Sequence, residues 1–346
     1  MDVKFRRAVV TGGAGFLGRR VCQRLLERGT DVVCVDNSLT GSRAIMPDAR
    51  WPAGTRAARA GRLECQPWDV TEPFDVAGEV DLVMHLASPT SPADHERHPV
   101  ETLGCGGHGT RNALELAAHK DARFVLASTS DVYGDPLISP QPEEYRGNVS
   151  PVGPRSAYDE AKRYAEALTA AYRREERADT TIARIFNTYG SGMRRDDGGM
   201  VPTFAGQALR GEPLTVWGDG TQTLSLCHAD DTVRGLLLLA ESDLGGPINI
   251  GNPEEATVGE IAALIISLAG SSSSIRYVPP PGGVPPARKP DILFAQLALG
   301  FEPRISWREG LIETISWFRR TTTEPAVPSG TGSASRLRPT ALRRLR

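Results

Sequence analysis

Cysteine is scarce in this sequence, and no two cysteines form a Cys-x-x-Cys pair. An odd number of thiols cannot close into a complete disulfide framework, so we expect them to be reduced, as in cytoplasmic proteins. The 346 residues contain five: Cys22, Cys34, Cys65, Cys105 and Cys227.

Long apolar runs and a basic excess are also missing. No run approaches the roughly 18 residues that a membrane-spanning helix needs, and Met1 leads into a short strand pattern without the apolar segment of a secretion signal. The net charge of -2 and the pI near 6.3 argue against phosphate-driven binding of nucleic acid. We therefore expect a cytoplasmic protein that binds neither membranes nor nucleic acid.

The sequence shows no pattern typical of a metal site. His95 and His98 lie three residues apart beside Asp94 and Glu96, but no further ligand cluster accompanies them. We interpret this segment as a solvated charged loop.

A glycine-rich turn connects an apolar strand over residues 5–10 to an amphipathic helix over residues 19–28. Gly12 and Gly15 would let the backbone approach a diphosphate, and Gly18 would let the helix pack on the strand. The free N–H groups at the helix start favour anions. This turn predicts a dinucleotide site that includes Phe16 and Leu17.

Alternating strands and helices predict an α/β fold with a doubly wound parallel sheet (a Rossmann fold), whose ligands bind at the carboxyl ends of the strands. Further strands are predicted at residues 32–35, 63–66, 81–88, 123–127 and 181–185, and long helices at 101–119 and 157–174.

Strand ends supply the other candidate cofactor contacts. Asp36 follows the second strand, where a carboxylate accepts hydrogen bonds from the adenosine ribose and repels a 2′-phosphate, so NAD is favoured over NADP. The neighbouring Arg43 is interpreted as a solvated loop charge. The remaining candidates are Asn37, Asp69 and Val70 near the adenosine, and Leu86, Ala87 and Ser88 after the fourth strand.

We divide the chain into a mainly NAD-binding domain (1–190), a smaller substrate-binding lobe (191–320) that partly returns to the sheet, and a tail (321–346) expected to be disordered. Residues 41–60 form a polar loop without an assigned role. The Pro-rich segment 279–288 is expected to close over a substrate.

The stretch 128–162 carries the candidate chemistry. Thr129, Ser130 and Asp131 follow a buried strand, and Tyr158 and Lys162 lie four residues apart on one helix face. A nearby ammonium favours the phenolate, so we expect Lys162 to lower the pKa of Tyr158. The alternative is a solvated Tyr-Lys pair on the surface. It is less favoured because the glycine turn is predicted at the same edge of the sheet as the stretch 128–162.

Together the glycine turn, Asp36, Ser128-Thr129-Ser130, Tyr158-x-x-x-Lys162 and residues 184–190 resemble the extended short-chain dehydrogenase/reductase family. Within it, residues 133–136, 153–160 and 211–216 are similar to the UDP-glucuronate decarboxylase group. The resemblance covers roughly residues 5–320.

The resemblance implies NAD-dependent oxidation of UDP-glucuronate at C4, loss of CO2 and reduction to UDP-xylose. Tyr158 would be the base, assisted by Lys162 and Thr129, while Arg288 and Asp131 would act near the carboxylate and C5. It also implies a homodimer. The implied contacts to the UDP-sugar are Ser130, Arg155, Asn187, Val201, Trp217 and Arg288.

Three departures from the group leave alternatives open. Asp131 replaces a glutamate of the group and is one methylene shorter. This change could weaken the final reduction, so that some UDP-4-keto-pentose is released together with NADH. Leu224 and Gly199 replace arginines, so Arg194, Arg195 or Arg210 would have to compensate. The alternatives are a 4,6-dehydratase, a 4-epimerase and a non-catalytic NAD-binding relative. The dehydratase is disfavoured because Ser130 stands where such enzymes have an aspartate.

Overall fold

A seven-stranded parallel sheet forms the centre of the computed structural model, which describes residues 4–40, 61–280 and 288–323. The predictions for Arg43 and the 41–60 loop, for most of the 279–288 segment and for the tail beyond residue 323 lie outside these residues. In the described part, the strands are β1 Arg7–Thr11, β2 Asp31–Val35, β3 Leu63–Gln66, β4 Leu82–His85, β5 Arg123–Thr129, β6 Thr180–Ile185, β7 Thr188–Tyr189, β8 Leu214–Trp217, β9 Thr223–Ser225, β10 Cys227–His228, β11 Ile248–Ile250, β12 Glu255–Thr257 and β13 Ile275–Val278.

Helices connect these strands and cover both faces of the sheet. In the described residues they are α1 Phe16–Glu27, α2 Pro92–Arg97, α3 Pro99–Gly104, α4 Thr110–Lys120, α5 Ser156–Arg174, α6 Met200–Leu209, α7 Ala229–Ala240, α8 Val258–Ala269, α9 Leu293–Leu299 and α10 Trp307–Thr323.

The strand order is β11-β6-β5-β4-β1-β2-β3, and all neighbouring strands are parallel. The carboxyl ends therefore lie along one edge. Val21 of α1 and Leu236 of α7 pack on one face, while Leu114 of α4 and Ala165 of α5 pack on the other. The predicted doubly wound fold is confirmed.

The smaller lobe has its own apolar core. Phe204 of α6, Ile261 of α8 and Leu311 of α10 are buried together there. The strand β11, although late in the chain, pairs with β6 in the main sheet. That pairing agrees with the expected partial return to the sheet; the domain boundaries themselves stay predictions.

The helix predicted over residues 101–119 is divided by a π-helical turn, Cys105–Gly109, between α3 and α4. The glycines of this turn have low helix propensity, and Gly106 allows close contact with α5. A Cβ on Gly106 would lie 2.6 Å from the Ala161 carbonyl oxygen, so the turn packs directly on the backbone of α5.

Other boundaries also differ from the predictions. Helix α1 begins at Phe16 rather than residue 19, immediately after the glycine turn. The helices α2, α9 and α10 were not predicted. None of the described helices is both long and apolar enough to cross a bilayer.

Candidate active site

The glycine turn forms a cradle that side chains would fill. Gly12 has φ +70°, and a Cβ there would lie 2.7 Å from the Ala87 backbone nitrogen. A Cβ on Gly18 would lie 2.0 Å from the Gly12 carbonyl oxygen. Only glycine fits at these two positions, and their close packing holds the start of α1 against the ends of β1 and β4, which is the arrangement that a dinucleotide site requires.

Polar groups for the adenosine half lie at the ends of β2 and β3. The Asp36 carboxylate accepts hydrogen bonds from the backbone N–H groups of Ala14 (3.0 Å) and Ser38 (2.7 Å). The Asn37 amide donates to Asp69 Oδ2 at 3.1 Å. These contacts connect the glycine turn to the predicted ribose and adenine positions.

The remaining predicted cofactor contacts lie on the same edge of the sheet. Leu86, Ala87 and Ser88 directly follow β4, beside Gly12, and Val70 is buried after β3. The structure therefore brings the predicted cofactor residues to one edge of the sheet, and their individual roles stay predictions.

The Tyr158-Lys162 pair is buried at this edge rather than solvated. The Lys162 ammonium donates to the Ala127 carbonyl at 2.9 Å and lies 5.9 Å from the centre of the Tyr158 ring. Burial lowers the pKa of Lys162 to about 8. The alternative of a surface pair does not hold.

The predicted lowering of the Tyr158 pKa is wrong. Burial, followed by the negative charge of Asp131, raises the pKa of the phenol above its usual range, while a hydrogen bond with Thr129 opposes the rise. The Lys162 charge does not outweigh these effects.

Two arginines converge on the Asp131 carboxylate. This residue lies in a 3-10 turn, Ser130–Tyr133, directly after β5. Arg155 and Arg288 both donate to Asp131 Oδ1, and Thr129 donates to Oδ2 at 2.9 Å. Burial opposes ionisation, but the two guanidinium groups outweigh it and lower the pKa of Asp131.

Arg288 is 7% exposed, so the alternative of a solvent-facing loop arginine is excluded. The chain beside it is fixed by Gln141, whose backbone N–H donates to the Lys289 carbonyl (2.9 Å) and whose carbonyl accepts from Asp291 (3.0 Å). Arg288 Nη2 also donates to the Gly134 carbonyl at 3.2 Å. These bonds bring a residue distant in sequence to the strand end.

Asp159 is a site residue that the sequence analysis missed. Its Oδ1 lies 3.9 Å from Arg155 Nε, and both atoms are buried without a hydrogen-bond partner in the described structure. Burial and then the charge of Asp131 raise the pKa of Asp159 to about 6. Its position next to Tyr158 in the sequence could have indicated that Asp159 lies at the site.

The interpretation of residues 94–98 as a solvated loop is wrong for Asp94 and His95, which are 6% and 7% exposed. They lie in α2, and the His95 ring stacks on the Tyr158 ring at a centroid distance of 5.2 Å. The sequence Ser91-Pro92, a side-chain cap followed by proline, is a typical helix start that could have indicated α2. The described residues contain no group of three or more His, Cys, Asp or Glu side chains that could hold a metal.

The other predicted substrate contacts are more dispersed. Ser130 is buried in the Asp131 turn, and Asn187 follows β6. In the smaller lobe, Val201 is buried in the core and Trp217, at the end of β8, is 47% exposed. Their substrate contacts stay predictions.

Two of the three arginines considered as compensating cations already have partners. Arg194 donates to Asp94 at 2.8 Å and Arg210 to Glu212 at 2.7 Å. Arg195 is exposed. A bound diphosphate would have to compete with these acidic partners.

The fold and site define a dinucleotide-binding oxidoreductase-like enzyme with a Tyr-Lys pair. Residues 8–251 match the NAD dependent epimerase/dehydratase family, and the chain belongs to this family. This confirms the resemblance to extended short-chain dehydrogenases/reductases, and NAD is the cofactor.

Curated relatives are similar over most of the chain. UDP-glucuronic acid decarboxylase 1 of Danio rerio is 44% identical over 91% of this chain and 73% of its own length. UDP-glucuronic acid decarboxylase 5 of Arabidopsis thaliana is 47% identical over 88% of this chain and 87% of its own. Among solved structures, MoeE5 in complex with UDP-glucuronic acid and NAD has a TM-score of 0.75 and 29% identity, and covers 91% of this chain and 99% of its own.

Proposed function

We propose that this protein is an NAD-dependent UDP-glucuronate decarboxylase that forms UDP-xylose through a UDP-4-keto intermediate. The observation that carries the proposal is the convergence of Arg155 and Arg288 on one carboxylate close to Tyr158. Such a pair is suited to a substrate that brings its own carboxylate. The names of the curated relatives support the same reaction.

In its ionised form Tyr158 removes the proton of the sugar C4 hydroxyl, and Thr129 holds that hydroxyl. The glycine turn and Asp36 would hold NAD, which would supply the hydride acceptor for oxidation at C4 and the hydride for the final reduction. The resulting C4 ketone makes the C6 carboxylate a β-keto acid, so CO2 leaves with its electrons delocalised into an enolate. Arg288 stabilises that negative charge near C5, where a proton is then added.

Two related reactions are weaker candidates. A 4,6-dehydratase needs an acid for the departing hydroxyl, and this chain has Ser130 at the expected position. A 4-epimerase has no need of an arginine at position 288, whereas Arg288 here is buried beside Asp131. Release of some UDP-4-keto-pentose with NADH, inferred from the short side chain of Asp131, remains part of the proposal.

The Arg288→Gln variant tests whether Arg288 binds the carboxylate of UDP-glucuronate. We expect UDP-glucuronate to bind roughly ten- to a hundredfold more weakly, because one charge-assisted hydrogen bond is lost, as calorimetry would measure. UDP-glucose is the matched control, since it lacks the carboxylate and its affinity should stay unchanged. An equal loss for both ligands would contradict the assignment of Arg288.

We also propose a cytoplasmic homodimer. All five cysteines are free thiols, in keeping with a reducing compartment. Helices α3 and α5 expose a shared apolar surface, which we call the α3–α5 surface, formed by Val100 (76% exposed), Leu103 (47%) and Tyr164 (55%). An exposed apolar patch of this kind is suited to a subunit contact.

A further inference from the structure

His95 lies directly against the candidate catalytic base. Its imidazole and the Tyr158 ring are nearly parallel, with an interplanar angle of 12° and centroids 5.2 Å apart. Both side chains are buried, at 7% and 5% exposure. The two rings come from different elements, α2 and α5, so the contact depends on how those elements are held together.

The short helix α2 is anchored at its first turn. Ser91 caps it by accepting from the Asp94 N–H at 3.2 Å, and Asp94 accepts from Arg194 at 2.8 Å. The Ala93 N–H donates to the Asp197 carbonyl at 3.3 Å. Residues 194–197 lie at the start of the predicted smaller lobe (191–320), so this segment helps to fix the helix that carries His95.

The surroundings of His95 favour its uncharged form. Burial, followed by Arg155, lowers the pKa of His95, although Asp131, Glu96 and Asp94 act in the opposite direction. An uncharged imidazole stacks on a phenol without adding a charge beside it. A planar apolar ring could therefore replace it.

We propose that His95 is a positioning residue for Tyr158: it packs against one face of the phenol ring and fixes the ring orientation in which Tyr158 takes the substrate proton. The identity of that proton, on the C4 hydroxyl, rests on the proposed function. His95 itself exchanges no proton. Because aromatic stacking depends on a planar partner, an aliphatic side chain of similar volume cannot replace it.

The test compares His95→Phe, which keeps a planar ring, with His95→Leu, which fills the space without one. We expect kcat to fall about tenfold in His95→Leu with KM within about twofold of wild type, and kcat to recover to within about threefold in His95→Phe. Thermal unfolding would be measured for both proteins, and their Tm values should agree closely. Wild-type kcat in the leucine variant, or equal losses in the two variants, would overturn the proposal.

Both kcat and KM are measured as consumption of the nucleotide sugar that the wild-type protein oxidises at C4, because the proposed cycle returns the hydride and accumulates no net NADH. If wild type oxidises UDP-glucose but leaves UDP-glucuronate unchanged, the decarboxylase proposal fails and the comparison of the two variants is still decisive for His95. If UDP-glucuronate is decarboxylated while the variants do not differ, only the role of His95 fails.

Discussion

Four charged side chains meet beside Tyr158: Asp131, Asp159, Arg155 and Arg288. The two arginines act mainly on Asp131 and lower its pKa, whereas Asp159 Oδ1 lies 3.9 Å from Arg155 Nε, and Arg155 and Arg288 do not outweigh the effects of burial and Asp131 on the pKa of Asp159. Asp159 is therefore a buried carboxyl that is incompletely compensated. Its raised pKa links this site to the stability of the fold.

We predict that Asp159→Asn stabilises the protein at about pH 8 by up to roughly 3 kcal/mol. Since the pKa of Asp159 rises from 3.8 to about 6 on folding, the native state binds more protons than the unfolded state between these values. The stability of wild type is thus highest, with respect to this group, below its unfolded pKa and falls as the pH rises through about 6.

Urea unfolding at several pH values would measure this difference. The advantage of Asp159→Asn should shrink as the pH falls and vanish near pH 4. Glu160→Gln, at the adjacent and partly exposed position, is the control and should show no such gain. A destabilised asparagine variant at about pH 8 would contradict the account.

Single residues were predictable where the chemistry is local. Tyr158 and Lys162 are one helical turn apart, and the glycines of residues 12–18 have a distinctive spacing. The partners of Asp131 were not predictable from spacing, because Arg155 and Arg288 reach it from 24 and 157 residues away. The inverted shift of the Tyr158 pKa depends on burial, which no local pattern reports.

At the scale of elements, the position of α5 depends on glycine at one point of the neighbouring π-helical turn. The Ala161 backbone leaves no room for a side chain at Gly106. The same helix carries Tyr158, Lys162 and Asp159. A displacement of α5 would therefore move most of the site at once.

We predict that Gly106→Ala destabilises the protein by about 1–3 kcal/mol and lowers kcat, because the new methyl group would push α5 away. Gly104→Ala is the matched control: its Cβ would meet only Thr71 Cγ2, at 3.5 Å, an ordinary contact. Thermal unfolding and steady-state rates would compare the two. Equal effects in both variants would contradict the role of the close packing.

Helices and strands were predictable where the sequence has a clear hydrophobic periodicity. The bounds of β3 agree with the predicted residues 63–66. The π-helical turn, in contrast, has no periodic signal that distinguishes it from a continuous helix. Helix α10 had a signal that was not used, because its buried residues Trp307, Leu311, Ile315 and Phe318 recur at intervals of three and four.

At the scale of the whole molecule, the order of the sheet was only partly predictable. Alternating strands and helices predicted a parallel sheet, but the pairing of β11 with β6 depends on packing between distant parts of the chain. The smaller lobe is built from short strands and helices whose core forms only between them.

We predict that Leu103→Glu, on the α3–α5 surface, converts a dimer to a monomer, because a buried unpaired carboxylate would oppose association. Leu297→Glu is the control, as Leu297 is 77% exposed and belongs to α9, which is not one of the two helices that form that surface. Sedimentation velocity would measure both. A monomeric wild type, or a dimeric Leu103→Glu variant, would contradict the proposed interface.

The central claim is that the site decarboxylates a nucleotide sugar, and the identity of the product tests it most directly. Purified protein would be incubated with UDP-glucuronate and NAD, and the nucleotide sugar identified by mass spectrometry. The account predicts a UDP-pentose whose mass is lower than that of the substrate by the mass of one CO2. A product of unchanged mass, as from an epimerase, or unreacted UDP-glucuronate would contradict it.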